Sequence, residues 1–133
     1  MCASFRRAAR SLTQHYDEAL RPLGLRSTQF TLLQALSITG EVLQGKLGEI
    51  LALDSTTLTR TLDIMIGHGW IVKRQGEDRR ERYLRLSKAG RAEFQRALPY
   101  WERVQKRLRK QLGESRWDSL LTLTNQVTAA VTE

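Results

Sequence analysis

Apolar and polar residues alternate along this chain with two different periods, and the change of period marks its elements. Residues 2–20 carry apolar or small side chains at Phe5, Ala8, Ala9, Leu12, Tyr16, Ala19 and Leu20, a helical spacing closed by Pro22 and Gly24. Ser27 is placed to cap a second helix whose inner face is Phe30, Leu33 and Leu36 and which ends near Gly40. Leu47, Ile50 and Leu51 mark a short third helix. Asp54 then caps a fourth, with Leu58, Leu62 and Met65 inward and a stop at Gly67, His68 and Gly69. From Trp70 the period falls to two. Trp70–Arg74 and Tyr83–Leu86 read as strands joined by a polar, basic loop from Gln75 to Arg82. Ser87 opens a long helix with Phe94, Ala97, Leu98, Trp101, Val104, Leu108 and Leu112 at apolar positions, which Pro99 should bend or break. A last helix from about Glu114 carries Trp117, Leu120, Leu121, Thr124, Val127 and Val131.

Four helices, a hairpin and two more helices make a mainly α chain with a small β-hairpin. The two short helices joined by the tight turn Ala52-Leu53-Asp54, followed by the hairpin, have the layout of a winged helix-turn-helix. Gly48 falls where those two helices must cross closely. With 133 residues, 41% of them hydrophobic, one domain spanning 1–133 is expected.

The formal charge of +8 points to a polyanionic partner, with nucleic acid ahead of an acidic membrane surface or an acidic protein. The fourth helix holds Ser55, Thr56, Thr57, Thr59 and Thr61 in its first two turns, although serine and threonine are mediocre helix formers. Short hydroxyls can meet base edges and phosphates in a major groove, and Arg60 beside them can reach guanine or phosphate. The same residues also read as a merely solvated face, and the neighbouring hairpin favours the DNA reading. In the hairpin, Arg74, Arg79, Arg80 and Arg82 accompany Glu77, Asp78 and Glu81. Arginine at a wing tip can enter the narrow minor groove, and Asp78 can hold one guanidinium through two oxygens. Each of these arginines has an ordinary solvated turn as its alternative.

The run Asp78-Arg79-Arg80-Glu81-Arg82-Tyr83-Leu84-Arg85-Leu86-Ser87-Lys88-Ala89-Gly90 resembles the wing signature of the MarR family. Residues 53–63 resemble that family's recognition helix, and Gly67-His68-Gly69-Trp70-Ile71 resembles its step into the wing. Ser87 stands where threonine is commoner, and Gly48 where alanine is commoner. The resemblance implies a homodimer joined by residues 1–24 and 88–133, with residues 27–87 as the DNA-binding lobe. Independently, the two terminal helical regions carry more apolar surface than one small winged domain can cover. The implied function is a sequence-specific regulator of transcription, a repressor on a pseudo-palindromic duplex site.

Many members of that family take small aromatic acids between the dimer helices and the DNA-binding lobe; His15, Phe30 and Trp101 are the candidates here. The start of the chain also resembles the organic-hydroperoxide-sensing branch. There a cysteine opens the first helix and a tyrosine of the partner subunit hydrogen-bonds it, positions held here by Cys2 and Tyr16. Arg6 and Ser27 replace the other tyrosines of that branch. Release from DNA is therefore expected through a small ligand or through oxidation of Cys2.

Cys2 is the single cysteine, so no intrachain disulfide or cysteine-based zinc site is possible, and no cofactor or metal is expected. The chain holds no catalytic cluster and no phosphate-cradling glycine loop, so an enzyme is not expected. The rival reading is a winged helix that binds protein without sequence-specific DNA contact. Neither a leader-like apolar run nor a membrane-length one is present, which leads to the expectation of a cytoplasmic protein.

Overall fold

The computed structural model describes residues 1–132. Among these, six α-helices run in the order α1 (Cys2–Leu20), α2 (Ser27–Thr39), α3 (Gln44–Leu51), α4 (Ser55–Gly67), α5 (Lys88–Leu112) and α6 (Glu114–Val131). Three short strands complete the fold: β1 (Val42–Leu43), β2 (Ile71–Gln75) and β3 (Arg82–Leu86). The strands pair antiparallel in the order β1-β3-β2, with Ile71 opposite Leu86, Arg74 opposite Tyr83 and Leu43 opposite Tyr83 on the other side.

Two apolar clusters organise the molecule. The first joins Leu32, Leu33 and Leu36 of α2 to Leu47 of α3, to Leu58, Leu62 and Met65 of α4, and to Ile71, Leu84 and Leu86 of the sheet. The second joins Leu20 of α1, Leu25, Phe30 of α2 and Ala97 of α5. Trp70 and Phe94 pack against both clusters. The helix α2 buries residues on more than one side because it lies between the two clusters, so its single expected inner face is too narrow.

Local chemistry explains most boundaries. The Asp54 carboxylate accepts the Thr57 amide at 2.6 Å and starts α4. Ser87 does the same for α5, accepting the Gly90 amide at 3.0 Å. The second helix differs from expectation. Ser27 is its first residue rather than its cap, and its amide donates to Asp17 of α1 at 2.7 Å, while Gln29 accepts from the Arg26 amide at 3.0 Å. Pro99 does not divide the long helix, and α5 runs through it as one element. The two-residue strand β1 was not expected at all.

The junction between sheet and α5 is tight. The Ser87 amide and hydroxyl both donate to the Trp70 carbonyl, at 2.9 and 3.1 Å. A Cβ on Gly90 would lie 2.0 Å from that same carbonyl oxygen. Away from this centre, residues 2–14 of α1 and most of α6 are exposed, and among their apolar side chains Phe5, Leu12, Leu120, Leu121 and Leu123 lie open.

Candidate nucleic-acid interface

The turn between α3 and α4 is built from backbone. The Leu53 amide donates to the Gly48 carbonyl at 3.1 Å, and Ala52 takes a left-handed conformation at φ 52°. A Cβ on Gly48 would lie 3.2 Å from the Leu58 Cδ2, so the close crossing expected at this glycine is present. This turn aims the first turns of α4 outward.

On α4 the hydroxyl-rich stretch divides. Ser55, Thr56, Thr59, Arg60 and Asp63 share one exposed surface. Thr57 lies elsewhere: its amide and hydroxyl both donate to Asp54, at 2.6 and 3.0 Å, so the cap takes up this side chain. Thr61 turns back to donate to the Thr57 carbonyl at 2.9 Å. The bonds from Thr57 hold the Asp54 carboxyl below its ordinary range. One neighbour was not foreseen. Gln44, the first residue of α3, reaches Thr59 Oγ1 at 3.4 Å and lies beside the polar face of α4.

The wing is a six-residue loop, 76–81, between β2 and β3. Asp78 orders this loop through backbone and does not clamp a guanidinium: its carboxylate accepts the Arg80 amide at 3.0 Å. Glu81 accepts the Asp78 amide at 3.1 Å, and the Glu81 carbonyl accepts the Gly76 amide at 2.9 Å. Gly76 is required here, since a Cβ would lie 2.6 Å from Glu81 Cβ. Arg79, Arg80 and Arg82 are exposed, and among the described residues neither they nor Arg60 have a carboxylate within ion-pair distance. Arg74 differs. Its Nε and Nη2 donate to both oxygens of Glu41, and its guanidinium lies 4.3 Å from the centre of the Tyr83 ring. Neither Glu41 nor Tyr83 was singled out from the sequence, because the pair with Glu41 spans 33 positions and leaves no local pattern.

The charge is distributed unevenly. Residues 27–87 hold eight Lys and Arg against seven Asp and Glu, a net of +1 out of the chain's +8. The cationic side of this lobe therefore depends on which arginines are left unpaired.

A model of the MarR family matches residues 25–81. The crystal structure of the M. tuberculosis transcriptional regulator MosR in complex with DNA aligns at 35% identity over 98% of this chain and 97% of that one, with a TM-score of 0.82. The chain belongs to the MarR family. An HTH-type transcriptional regulator of Bacillus subtilis, YwoH, is 33% identical over 88 residues, which is 66% of this chain and 64% of that protein, so the chain spans just under two thirds of that relative. The transcriptional repressor CouR bound to a 23-mer DNA duplex aligns at 26% identity over 94% of this chain and 89% of that one, with a TM-score of 0.85. Its relatives are transcriptional regulators, in accord with the expectation that this MarR-family chain is not an enzyme.

The sensing candidates of this MarR-family chain are scattered. Phe30 is buried; its ring stacks on Trp101 at 5.4 Å and lies tilted against Phe94 at 5.6 Å. Phe30, Trp101 and Tyr16 line a cavity of about 350 Å³ that also reaches Leu51 and Leu53 at the α3–α4 turn. His15 is not among them: it lines a separate hollow between α1 and α5 with Tyr100, Arg103 and Arg107, because it sits one position round the helix from Tyr16. Cys2 is exposed. Tyr16 lies fourteen positions further along α1, about 21 Å of helix, so the two do not meet within one chain. The Tyr16 hydroxyl already donates to Gln105 Oε1, and burial pushes its pKa up. Among the described residues no helix is long and apolar enough to cross a membrane.

Proposed function

We propose that this chain is a homodimeric transcriptional repressor that binds a pseudo-palindromic duplex, with α4 in the major groove and the wing over the flanking minor groove. The observation that carries this reading is one surface of Ser55, Thr56, Thr59 and Arg60 on α4, together with wing arginines Arg79, Arg80 and Arg82 that have no carboxylate partner among the described residues. Hydroxyls and unpaired guanidiniums are the groups that meet base edges and phosphates. MosR, solved in complex with DNA, and CouR, bound to a 23-mer duplex, support a DNA partner. Residues 27–87 then form the reading lobe and residues 1–24 and 88–133 the dimer body, since the exposed apolar side chains of α1 and α6 need a cover.

Release follows when the spacing of the two lobes no longer matches the half-sites. The cavity walled by Phe30, Trp101 and Tyr16 has the size of a small aromatic ligand and touches both body and lobe. Exposed Cys2 at the start of α1 is the other route, acting by oxidation toward the partner's helices.

Fluorescence anisotropy with duplex DNA from upstream of its own gene tests the reading. Tight binding is expected, and Arg60→Ala with Arg80→Ala should weaken it and flatten its salt dependence by up to about four phosphate contacts, two from each subunit. Unchanged affinity and slope in the double variant would sink the docking. Loss of peroxide-driven release in Cys2→Ser would assign sensing to the thiol, whereas retained release would remove Cys2 from it.

A further inference from the structure

Arg74 stands on β2, the strand that runs directly into the loop carrying Arg79 and Arg80. Nothing about its position removes it from a DNA-facing wing. What removes it is Glu41. Both carboxylate oxygens face the guanidinium, with Nε at 3.1 and 3.0 Å and Nη2 at 2.6 Å. The contact crosses the whole sheet: Arg74 on one edge strand reaches over Tyr83 of the central strand to the residue just before β1 on the other edge. The Tyr83 hydroxyl donates to Glu81 at 3.3 Å, which fixes the ring beneath the guanidinium.

A carboxylate and a phosphate diester offer an arginine the same thing, two oxygens at the spacing of its N–H fork. We propose that Arg74 is a latent phosphate-binding residue of the wing, and that Glu41 occupies it in the place of a DNA phosphate. This rests on the DNA-binding reading above. The occupant is intramolecular, paired through two nitrogens and backed by an aromatic ring, so an incoming phosphate must displace a carboxylate that is already in position. In a lobe with a net charge of only +1, withholding one guanidinium lowers the pull on DNA substantially. The mask sets affinity down to a level from which an effector can release the protein.

The test measures binding of a labelled duplex at several salt concentrations, for the upstream sequence and for a scrambled duplex of equal length. Each phosphate contact adds about 0.9 to the slope of log K against log salt. Glu41→Gln should tighten binding to both duplexes and steepen that slope by about 1.8, one added contact from each subunit of the dimer. Glu41→Gln combined with Arg74→Met should return the slope to the wild-type value, showing that the added contact belongs to Arg74 and not to the mere loss of a negative charge. Circular dichroism of each variant checks that the wing stays folded. If the pair is only a staple across the sheet, Glu41→Gln will lower thermal stability and leave the slope unchanged or shallower, and the mask is wrong. Should Glu41→Gln fail to fold, Arg74→Met in the wild-type background decides: a slope shallower by about 1.8 means that Arg74 already meets a phosphate in each subunit and overturns the mask. A wild-type protein that binds neither duplex overturns the DNA reading itself and the mask with it.

Discussion

At Gly90 the N-terminal turn of α5 passes so close to the Trp70 carbonyl that a methyl group has no room. The opposing atoms are backbone, 2.0 and 2.9 Å from where a Cβ would stand, and they are held by two hydrogen bonds from Ser87. Relief would require opening that junction. Gly90→Ala is therefore expected to cost at least about 2 kcal/mol in urea denaturation, at the upper part of the range for overpacking. Gly48→Ala offers the contrast, since its Cβ would meet one side-chain atom, Leu58 Cδ2, at 3.2 Å and no backbone atom closer than 3.7 Å, and should cost little. Single residues were legible in the sequence where their role is local, as with the Asp54 and Ser87 caps and the close crossing at Gly48. Asp78 and Arg74 were legible as wing residues but not in their partners. A carboxylate that holds a backbone amide looks the same in sequence as one that holds a guanidinium. An ion pair between positions 41 and 74 has no spacing to betray it.

The recognition helix α4 depends on a titratable cap. Bonds from Thr57 hold the Asp54 carboxyl below its ordinary value of 3.8, so its contribution to stability is complete above that value and is lost as pH falls through the depressed one. Asparagine caps as well as aspartate does, but it does not titrate. The melting temperature of wild type should accordingly fall more steeply than that of Asp54→Asn between about pH 5 and pH 2, measured by circular dichroism. Equal acid limbs for the two proteins would show that the cap is not coupled to this proton. The helices and the hairpin were readable because periods of 3.6 and 2 persist over several residues. By contrast β1, two residues long, has no period to read. The start of α2 was misassigned because its cap comes from Asp17, ten positions earlier on another helix.

For the molecule as a whole, the apolar face of α6 is the strongest sign of a missing partner: Leu120 is 44% exposed and Leu121 50%. If a second copy covers this face, Leu121→Glu should shift the protein from dimer to monomer in sedimentation and abolish tight operator binding, since one lobe alone holds only a half-site. A monomeric wild type would refute the dimer. Within the chain the lobe is tied closely to the body. Ser87 and Gly90 weld the sheet to the start of α5, and Trp70 and Phe94 key both cores together. Each reading head is thus an oar fixed to a stiff shaft. In the proposed dimer, a ligand in the cavity between body and lobe can reach the other blade only through this weld, so a substitution that loosens it should leave DNA binding present but deaf to the effector.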